Sequence, residues 1–406
     1  MRKLYYTKML TVSNQALNLP VSAIRRLIPY ADAAKRRGIK VYHLNMGQPD
    51  VDSSKQALDA VIQNKLSVIS YTNSAGDLEL RKGMVKYYAS IGIDVDEDCI
   101  NVTHGGSEAL QIAIAATCDP EDELIVFEPF YTNYNTFAVQ NDVILKPITT
   151  HIEDGFKLPE MSEIEKHITK KTKGILFCNP NNPTGCLYSR EEIAKIGEIA
   201  KKYELFIYSD EVYREFCYTD TPHYSAMHLK GLDDNIILLD SVSKRYSLCG
   251  ARIGFVVSKN KEVMKYVLRY AQARLCVSTY GQIASIGAID TPKEYFDNVK
   301  KEYINRRNVL LEELSKIDGV FCPTPNGAFY AAAELPVDDA EKFAIWMLNE
   351  FNLDGKTVQV TPMAGFYASP GMGKKQVRLA YVIKEEDIRE ACKCLKAGLE
   401  AYPGRI

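Results

Sequence analysis

The chain has 406 residues, 46% of them apolar, with 50 basic side chains against 52 acidic ones and a net charge of −2. That is an ordinary globular composition, too long for one compact core and suited to a large domain plus a smaller one. It excludes a basic nucleic-acid face and an acidic tail, and no apolar stretch approaches the ~20 residues that a membrane span requires. The first residues, Met1-Arg2-Lys3-Leu4-Tyr5-Tyr6, lack the apolar core of a secretory signal. The ten cysteines are spread mostly singly, several within apolar runs (Cys178, Cys217, Cys249, Cys276). They read as free thiols of a reducing compartment, and the protein as cytoplasmic. Cys392-Lys393-Cys394 has no further ligands nearby, so no metal site is expected.

In chain order, residues 1–20 read as an extended arm, and 21–37 as a helix from the apolar spacing of Ile24, Leu27, Ala31 and Ala34. A short strand and turn over 41–50 precede helices over 53–66 and 78–91. From about residue 99 the rhythm becomes strand, loop, helix. Strands are expected at 100–103, 124–128, 143–148, 175–178, 205–209, 236–240 and 253–258, and helices at 108–116, 131–140, 162–168 and 190–203. Alternating units with apolar strands predict an α/β fold with a mostly parallel seven-stranded sheet between helices. The connection between the last two strands is short, so the last is expected to run antiparallel. Helices over 261–273 and 280–289 follow, then a long charged helix over 294–317. Strands at 329–334, 358–361 and 377–381 and helices at 340–351 and 385–402 predict a smaller α+β domain. The expected division is a large domain over 46–292 and a small one built from 1–45 and 293–406.

Unusual residues recur just past the ends of the expected strands, which is where open α/β sheets bind ligands. After the strand 236–240 comes Ser241-Val242-Ser243-Lys244, with Arg252 eight residues beyond the lysine and Gly254 after it. Serine hydroxyls and a guanidinium fork are phosphate ligands, and a desolvated lysine near a second cation has the depressed pKa that Schiff-base chemistry requires. Thr103-His104-Gly105-Gly106-Ser107-Glu108 opens a helix after the first strand. It reads equally as a phosphate-binding helix start or as a plain cap made by Thr103 or Ser107; it lacks the Gly-x-Gly-x-x-Gly of dinucleotide folds. Asn179-Pro180-Asn181-Asn182-Pro183-Thr184-Gly185 is a rigid polar turn. Asp210, in Tyr208-Ser209-Asp210-Glu211-Val212-Tyr213, is a carboxylate at an apolar strand end that needs a partner. Arg378 sits inside the apolar run Gln376-Val377-Arg378-Leu379-Ala380-Tyr381, and its fork suits a carboxylate.

Taken together, Ser-x-Ser-Lys-(x)7-Arg-x-Gly, the Asn-Pro-x-Asn-Pro-Thr-Gly turn and these strand-end residues resemble the class I aminotransferases, fold-type I enzymes that use pyridoxal 5'-phosphate. The resemblance runs from about residue 20 to 400. It implies Lys244 as the cofactor lysine and proton carrier, with Gly106, Ser107, Ser241, Ser243 and Arg252 on the phosphate. Tyr131 would stack on the pyridine ring, Asp210 would face the pyridine nitrogen, and Asn182 and Tyr213 would donate to the phenolic oxygen. Arg378, Asn182 and the backbone of Gly47 would hold the substrate carboxylate. Tyr71 would reach the phosphate of a neighbouring subunit, so a homodimer with shared sites is implied.

The reaction implied is amino transfer between an amino acid and a 2-oxo acid by a ping-pong cycle. The side chain of the substrate is not fixed by these motifs. Ser107 stands where some aspartate enzymes of the family carry a lysine. Yet residues 362–367 and 377–381 resemble a prokaryotic branch of aspartate aminotransferases, so aspartate and glutamate with 2-oxoglutarate are expected. Aromatic amino acids, alanine, or lyase chemistry on the same scaffold are the alternatives. A cofactor domain of a transcription regulator is disfavoured, because about 40 residues precede the first motif and they are not strongly basic.

Overall fold

The computed structural model describes residues 10–406. The described residues contain strands β1 (Lys40–His43), β2 (Ile100–Thr103), β3 (Glu123–Glu128), β4 (Ile144–Thr149), β5 (Thr172–Cys178), β6 (Phe206–Asp210), β7 (Ile236–Ser241), β8 (Gly254–Val257), β9 (Tyr330–Glu334), β10 (Lys356–Gln359), β11 (Thr361–Pro362) and β12 (Gln376–Ala380). Seven of them form one sheet in the order β2-β8-β7-β6-β5-β3-β4. Pairs β3–β4, β3–β5, β5–β6 and β6–β7 are parallel, whereas β8 runs antiparallel to both β7 and β2. The expected α/β architecture is present, including the reversed last strand.

Period-2 alternation explains why this sheet is covered on both sides. Ile125 and Phe127 of β3, Phe177 of β5 and Leu238 of β7 enter one apolar cluster. Their neighbours Leu124, Val126, Leu176, Ile237 and Leu239 enter another, on the opposite face. A third cluster gathers β1, β9, β10 and β12 with the helices Ala340–Asn349 and Glu385–Ala401. There β1 pairs with β10 in parallel, and β11-β12-β9 form an antiparallel sheet. The N-terminal segment thus packs with the C-terminal one. The helix Lys293–Leu314 spans the two bodies: Phe296 packs with the large-sheet cluster, and Tyr303, Val309 and Leu310 pack with the third.

Several boundaries differ from the sequence-based expectation. Residues 1–9 lie outside the described residues, and the expected arm contains a helical turn, Asn14–Leu17, capped by the Ser13 side chain. The helix expected over 21–37 spans only Ile28–Arg36. Pro29 is the reason: its ring and missing N–H suit the first helical turn and clash in an interior, so residues before it form turns. The strand expected over 358–361 is two strands, because Val360 lies where the chain passes from β1 to β12 as partner. The helix expected from 131 starts at Asn133, leaving Tyr131 in the preceding loop. Among the described residues no helix is long and apolar enough to cross a membrane.

Because Leu238 is fully buried in the middle of the sheet, Leu238→Ala is expected to lower the unfolding free energy by about 2–5 kcal/mol. A denaturant midpoint unchanged from wild type would mean that the sheet does not carry the core described.

Candidate active site

The carboxyl ends of β2, β5, β6 and β7 open onto one cavity of about 310 Å³. Its first wall is the N-terminus of the helix Gly105–Thr117. His104 at the cap position gives no side-chain cap. Thr103 instead donates to the Gly105 carbonyl at 3.0 Å, and Glu108 accepts from the His104 N–H at 2.7 Å. Neither Thr103 nor Ser107 is therefore the cap, and the plain-cap reading fails. Gly106 and Ser107 line the cavity in the first helical turn, where backbone N–H groups have no intrahelical acceptor and the helix dipole is positive. Gly254 at the start of β8 permits this approach: a Cβ there would lie 2.3 Å from the Gly105 carbonyl carbon and 2.6 Å from the Gly106 nitrogen.

Ser241 ends β7, and its hydroxyl lies 2.8 Å from that of Ser243. Arg252, in a left-handed conformation with φ of 56°, sends its guanidinium to the carbonyls of Cys249 at 3.2 Å and His104 at 3.4 Å. It has no carboxylate partner among the described residues. The two serines, the arginine and the helix start make a corner built for a polyanion.

Lys244 lies on the single helical turn Val242–Arg245 that follows β7. Its Nζ donates to the Gly47 carbonyl at 2.9 Å and lies 3.5 Å from Cys249 Sγ. Burial lowers its pKa from the ordinary lysine value, and Arg252 and Arg378 push in the same direction. The amine is thereby moved toward the neutral, nucleophilic form.

Asp210 closes β6. No helix follows it, so it is not a helix cap. Its Oδ2 accepts from the Tyr134 hydroxyl at 2.8 Å and its Oδ1 from the Val212 N–H at 3.4 Å. Burial nevertheless raises its pKa to about 6, with Asp240 and Glu211 contributing repulsion. A carboxylate so placed gains from a cationic ligand group. Tyr131 faces the same cavity and packs edge-on against Tyr134, the ring centroids 5.7 Å apart.

At the far side Asn182 Nδ2 donates to the Tyr213 hydroxyl at 3.4 Å, and the hydroxyls of Tyr213 and Tyr330 lie 3.0 Å apart. Asn182 Oδ1 accepts from Arg378 at 3.1 Å, and a second guanidinium nitrogen of Arg378 donates to the Asn45 carbonyl. Arg378 is only 1% exposed and lies over the rings of Tyr330 and Phe366 at 4.6 and 5.2 Å. Its Nε has no hydrogen-bond partner, and no described carboxylate lies within ion-pair distance. A water-stripped guanidinium without a counter-ion is costly; a ligand carboxylate, bound bidentately, would offset that cost.

Every residue expected in the site lines this cavity except Tyr71. Tyr71 is 80% exposed, and in the chain it follows the exposed Leu66, Val68 and Ile69. Among the described residues no group of three or more His, Cys, Asp or Glu side chains converges to hold a metal.

Over residues 39–395 the chain matches the family model described as aminotransferase class I and II. It is 31% identical over 396 residues to an aspartate aminotransferase of Pyrococcus horikoshii, covering 96% of this chain and 97% of that protein. It superposes on the aspartate aminotransferase of Thermus thermophilus with maleate at a TM-score of 0.87 and 26% identity, covering 96% of this chain and 100% of that one. An alanine aminotransferase from Pyrococcus furiosus gives a TM-score of 0.88 and 29% identity, covering 97% of this chain and 100% of that one.

The chain belongs to the class I and II aminotransferases. The family consists of transaminases, and the fold is that of the fold-type I, pyridoxal phosphate-dependent enzymes. Arg25, Asn45, Tyr134, Cys178, Cys249 and Tyr330 also line the cavity and were not expected there from sequence. Tyr134 had a weak signal, a second tyrosine three residues past Tyr131; its contact with Asp210 is visible only in the fold. Tyr330 had none, since its partner Tyr213 is 117 residues away.

The folded pKa of Asp210 lies above the value of an unfolded aspartate, so the folded chain binds that proton more tightly and the group opposes folding once both states are ionised. Asp210→Asn is therefore expected to raise the thermal midpoint of the cofactor-free protein above about pH 6, with the gain disappearing below about pH 4. A midpoint that falls at every pH would contradict the burial argument.

Proposed function

We propose that this transaminase binds pyridoxal 5'-phosphate and moves an amino group between aspartate or glutamate and a 2-oxo acid, 2-oxoglutarate in the first instance, by a ping-pong cycle. The observation that carries the reading is the counter-ion-free, buried Arg378 in one cavity with the depressed amine of Lys244.

The residues present fit the cofactor. The uncapped helix start at Gly106 and Ser107, with Ser241, Ser243 and Arg252, would hold the phosphate. Asp210 would pair with the pyridine nitrogen, Tyr131 would stack on the ring, and Asn182 and Tyr213 would donate to the phenolic oxygen. When bound, the cofactor supplies an electron sink for the charge left as the proton on the substrate Cα departs. Lys244 Nζ would anchor the cofactor and, as general base and acid in turn, would take the proton from the substrate Cα and return it on the cofactor side. Arg378, Asn182 and Gly47 would hold and orient the α-carboxylate. We also propose the division into a cofactor-binding unit over 46–292 and a second unit from 1–45 and 293–406. Tyr71 would complete the phosphate site of a partner copy in a homodimer.

For the acidic side chain, support comes from charge. The cavity lining holds Arg25, Lys244, Arg252 and Arg378 against one carboxylate, Asp210. After phosphate and α-carboxylate are placed, Arg25 remains without an acidic partner among the described residues. The names of the Pyrococcus horikoshii and Thermus thermophilus relatives point the same way. Alanine is the second reading, favoured by the Pyrococcus furiosus match.

Half-reactions on cofactor-loaded protein, with one amino acid and no oxo acid, test this. Aspartate and glutamate should discharge the cofactor absorption fastest, and Arg25→Gln should slow them about tenfold or more while leaving alanine within about twofold. Preference for alanine in the wild type would move the assignment to alanine. No conversion by any amino acid would favour elimination or decarboxylation.

A further inference from the structure

Beneath the cavity floor lies a set of ionised side chains that the proposed chemistry does not use. Glu211 and Asp240 are fully buried, and Arg214 and Arg245 are nearly so. None of them lines the cavity. Arg214 donates to Glu211 Oε2 at 2.7 Å and stands 4.0 Å from Asp240 Oδ2. A single nitrogen of Arg245, Nη2, donates to both oxygens of Asp240, at 2.8 and 2.6 Å, and the guanidinium lies over the Tyr87 ring at 4.0 Å. The same Asp240 accepts from the Tyr88 hydroxyl at 2.9 Å and from the Ser241 N–H at 2.7 Å. Glu211 is fixed in turn by the hydroxyls of Ser209 and Ser225, each at 2.8 Å, and by the Ala226 N–H at 3.1 Å.

The covalent neighbours give this network its meaning. Glu211 follows Asp210 in the chain, and Arg245 follows Lys244. The path Asp210–Glu211···Arg214···Asp240···Arg245–Lys244 thus joins the two residues that would grip opposite ends of the cofactor ring. It also holds Ser241 of the phosphate corner through Asp240. We infer that this buried ionic strut sets the spacing of Asp210 and Lys244, so that Asp240 and Arg245 are positioning residues for amino transfer. The inference rests on the function proposed above.

As a device for stability alone, the strut is poorly built. Nε and Nη1 of both Arg214 and Arg245 have no hydrogen-bond partner, and well-packed apolar side chains in place of a buried ion pair are often no less stable. What ions provide that apolar packing does not is a fixed distance: Nη2 of Arg245 is held between both oxygens of Asp240 by charge-assisted hydrogen bonds. The two acids and two arginines balance, so the strut adds no net charge behind the cavity. Glu215, 3.6 Å from Arg245 Nε, and His223, 3.8 Å from Glu211, flank it.

The test replaces the pair by apolar residues of similar length, Asp240→Leu with Arg245→Met, in the full-length, pyridoxal phosphate-loaded protein. Four quantities are read: the thermal midpoint, the pH at which the visible absorption of the bound cofactor titrates, and kcat and KM for the preferred amino acid. The strut predicts a folded double variant whose titration midpoint moves by about one pH unit or more. It also predicts a kcat lower by about tenfold or more, with KM changed by less than about threefold. An unchanged titration midpoint and kcat in that variant overturn the inference and leave the function standing. Wild type that takes up no cofactor overturns both. If the double variant does not fold, Arg245→Lys takes its place: a shifted titration midpoint in the folded lysine variant supports the strut, and an unmoved one overturns it.

Discussion

The rest of the site depends on one costly arrangement, a guanidinium held out of water with no carboxylate to meet it. Arg378 leaves one nitrogen unpaired and spends its other contacts on neutral acceptors, Asn182 and the Asn45 carbonyl. Its surroundings are aromatic, with Tyr330 and Phe366 under the fork. Such a group is stabilised only when an anion enters. Lys244 and Arg252 line the same cavity and likewise meet no acidic partner among the described residues. Cations placed in this way suit a polyanion at one end of the cavity and a carboxylate at the other.

The sheet explains why these groups meet. Parallel strands deliver their carboxyl ends to one side, which places Asp210 and Ser241 on neighbouring strands β6 and β7. The reversal at β8 then brings the chain back from Ser241 to Gly254 alongside β2. That return carries Lys244 and Arg252 past the start of the helix Gly105–Thr117. The close approach works because residue 254 has no side chain. The hinge of the chemistry is thus a backbone feature, the antiparallel pairing of β7 and β8, filled in by side chains.

Much of this was legible in the sequence where a local pattern has only one physical solution. A short continuous apolar run such as Leu124 to Phe127, set between turn signals, reads as a strand buried on both faces, and polar residues directly after such strands mark the ligand side. Lys244, Asp210 and Asn182 carried that mark, Arg378 stood out instead as a charge inside an apolar run, and the cavity contains all four. The rest escaped because its cause is not local. Tyr330 and Phe366 line or support the site from residues far along the chain, and nothing beside them in sequence distinguishes them from core aromatics. Arg25 escaped because apolar spacing placed it inside a helix that Pro29 in fact delays. Residue type alone left Thr103 and Ser107 open between a cap and a phosphate-binding helix start, and the structure shows no side-chain cap there. Tyr71 is exposed in the single chain, and the role proposed for it would concern a second copy.

The central claim is that the unpaired cations of this cavity await pyridoxal phosphate, with Lys244 as its anchor. Borohydride treatment of the cofactor-loaded protein, followed by peptide mapping, tests it most directly. The account predicts one permanently labelled residue, Lys244, with the label lost in Lys244→Ala although that variant still takes up cofactor. Label on a lysine outside the cavity, or none on a protein that visibly holds the cofactor, would contradict it.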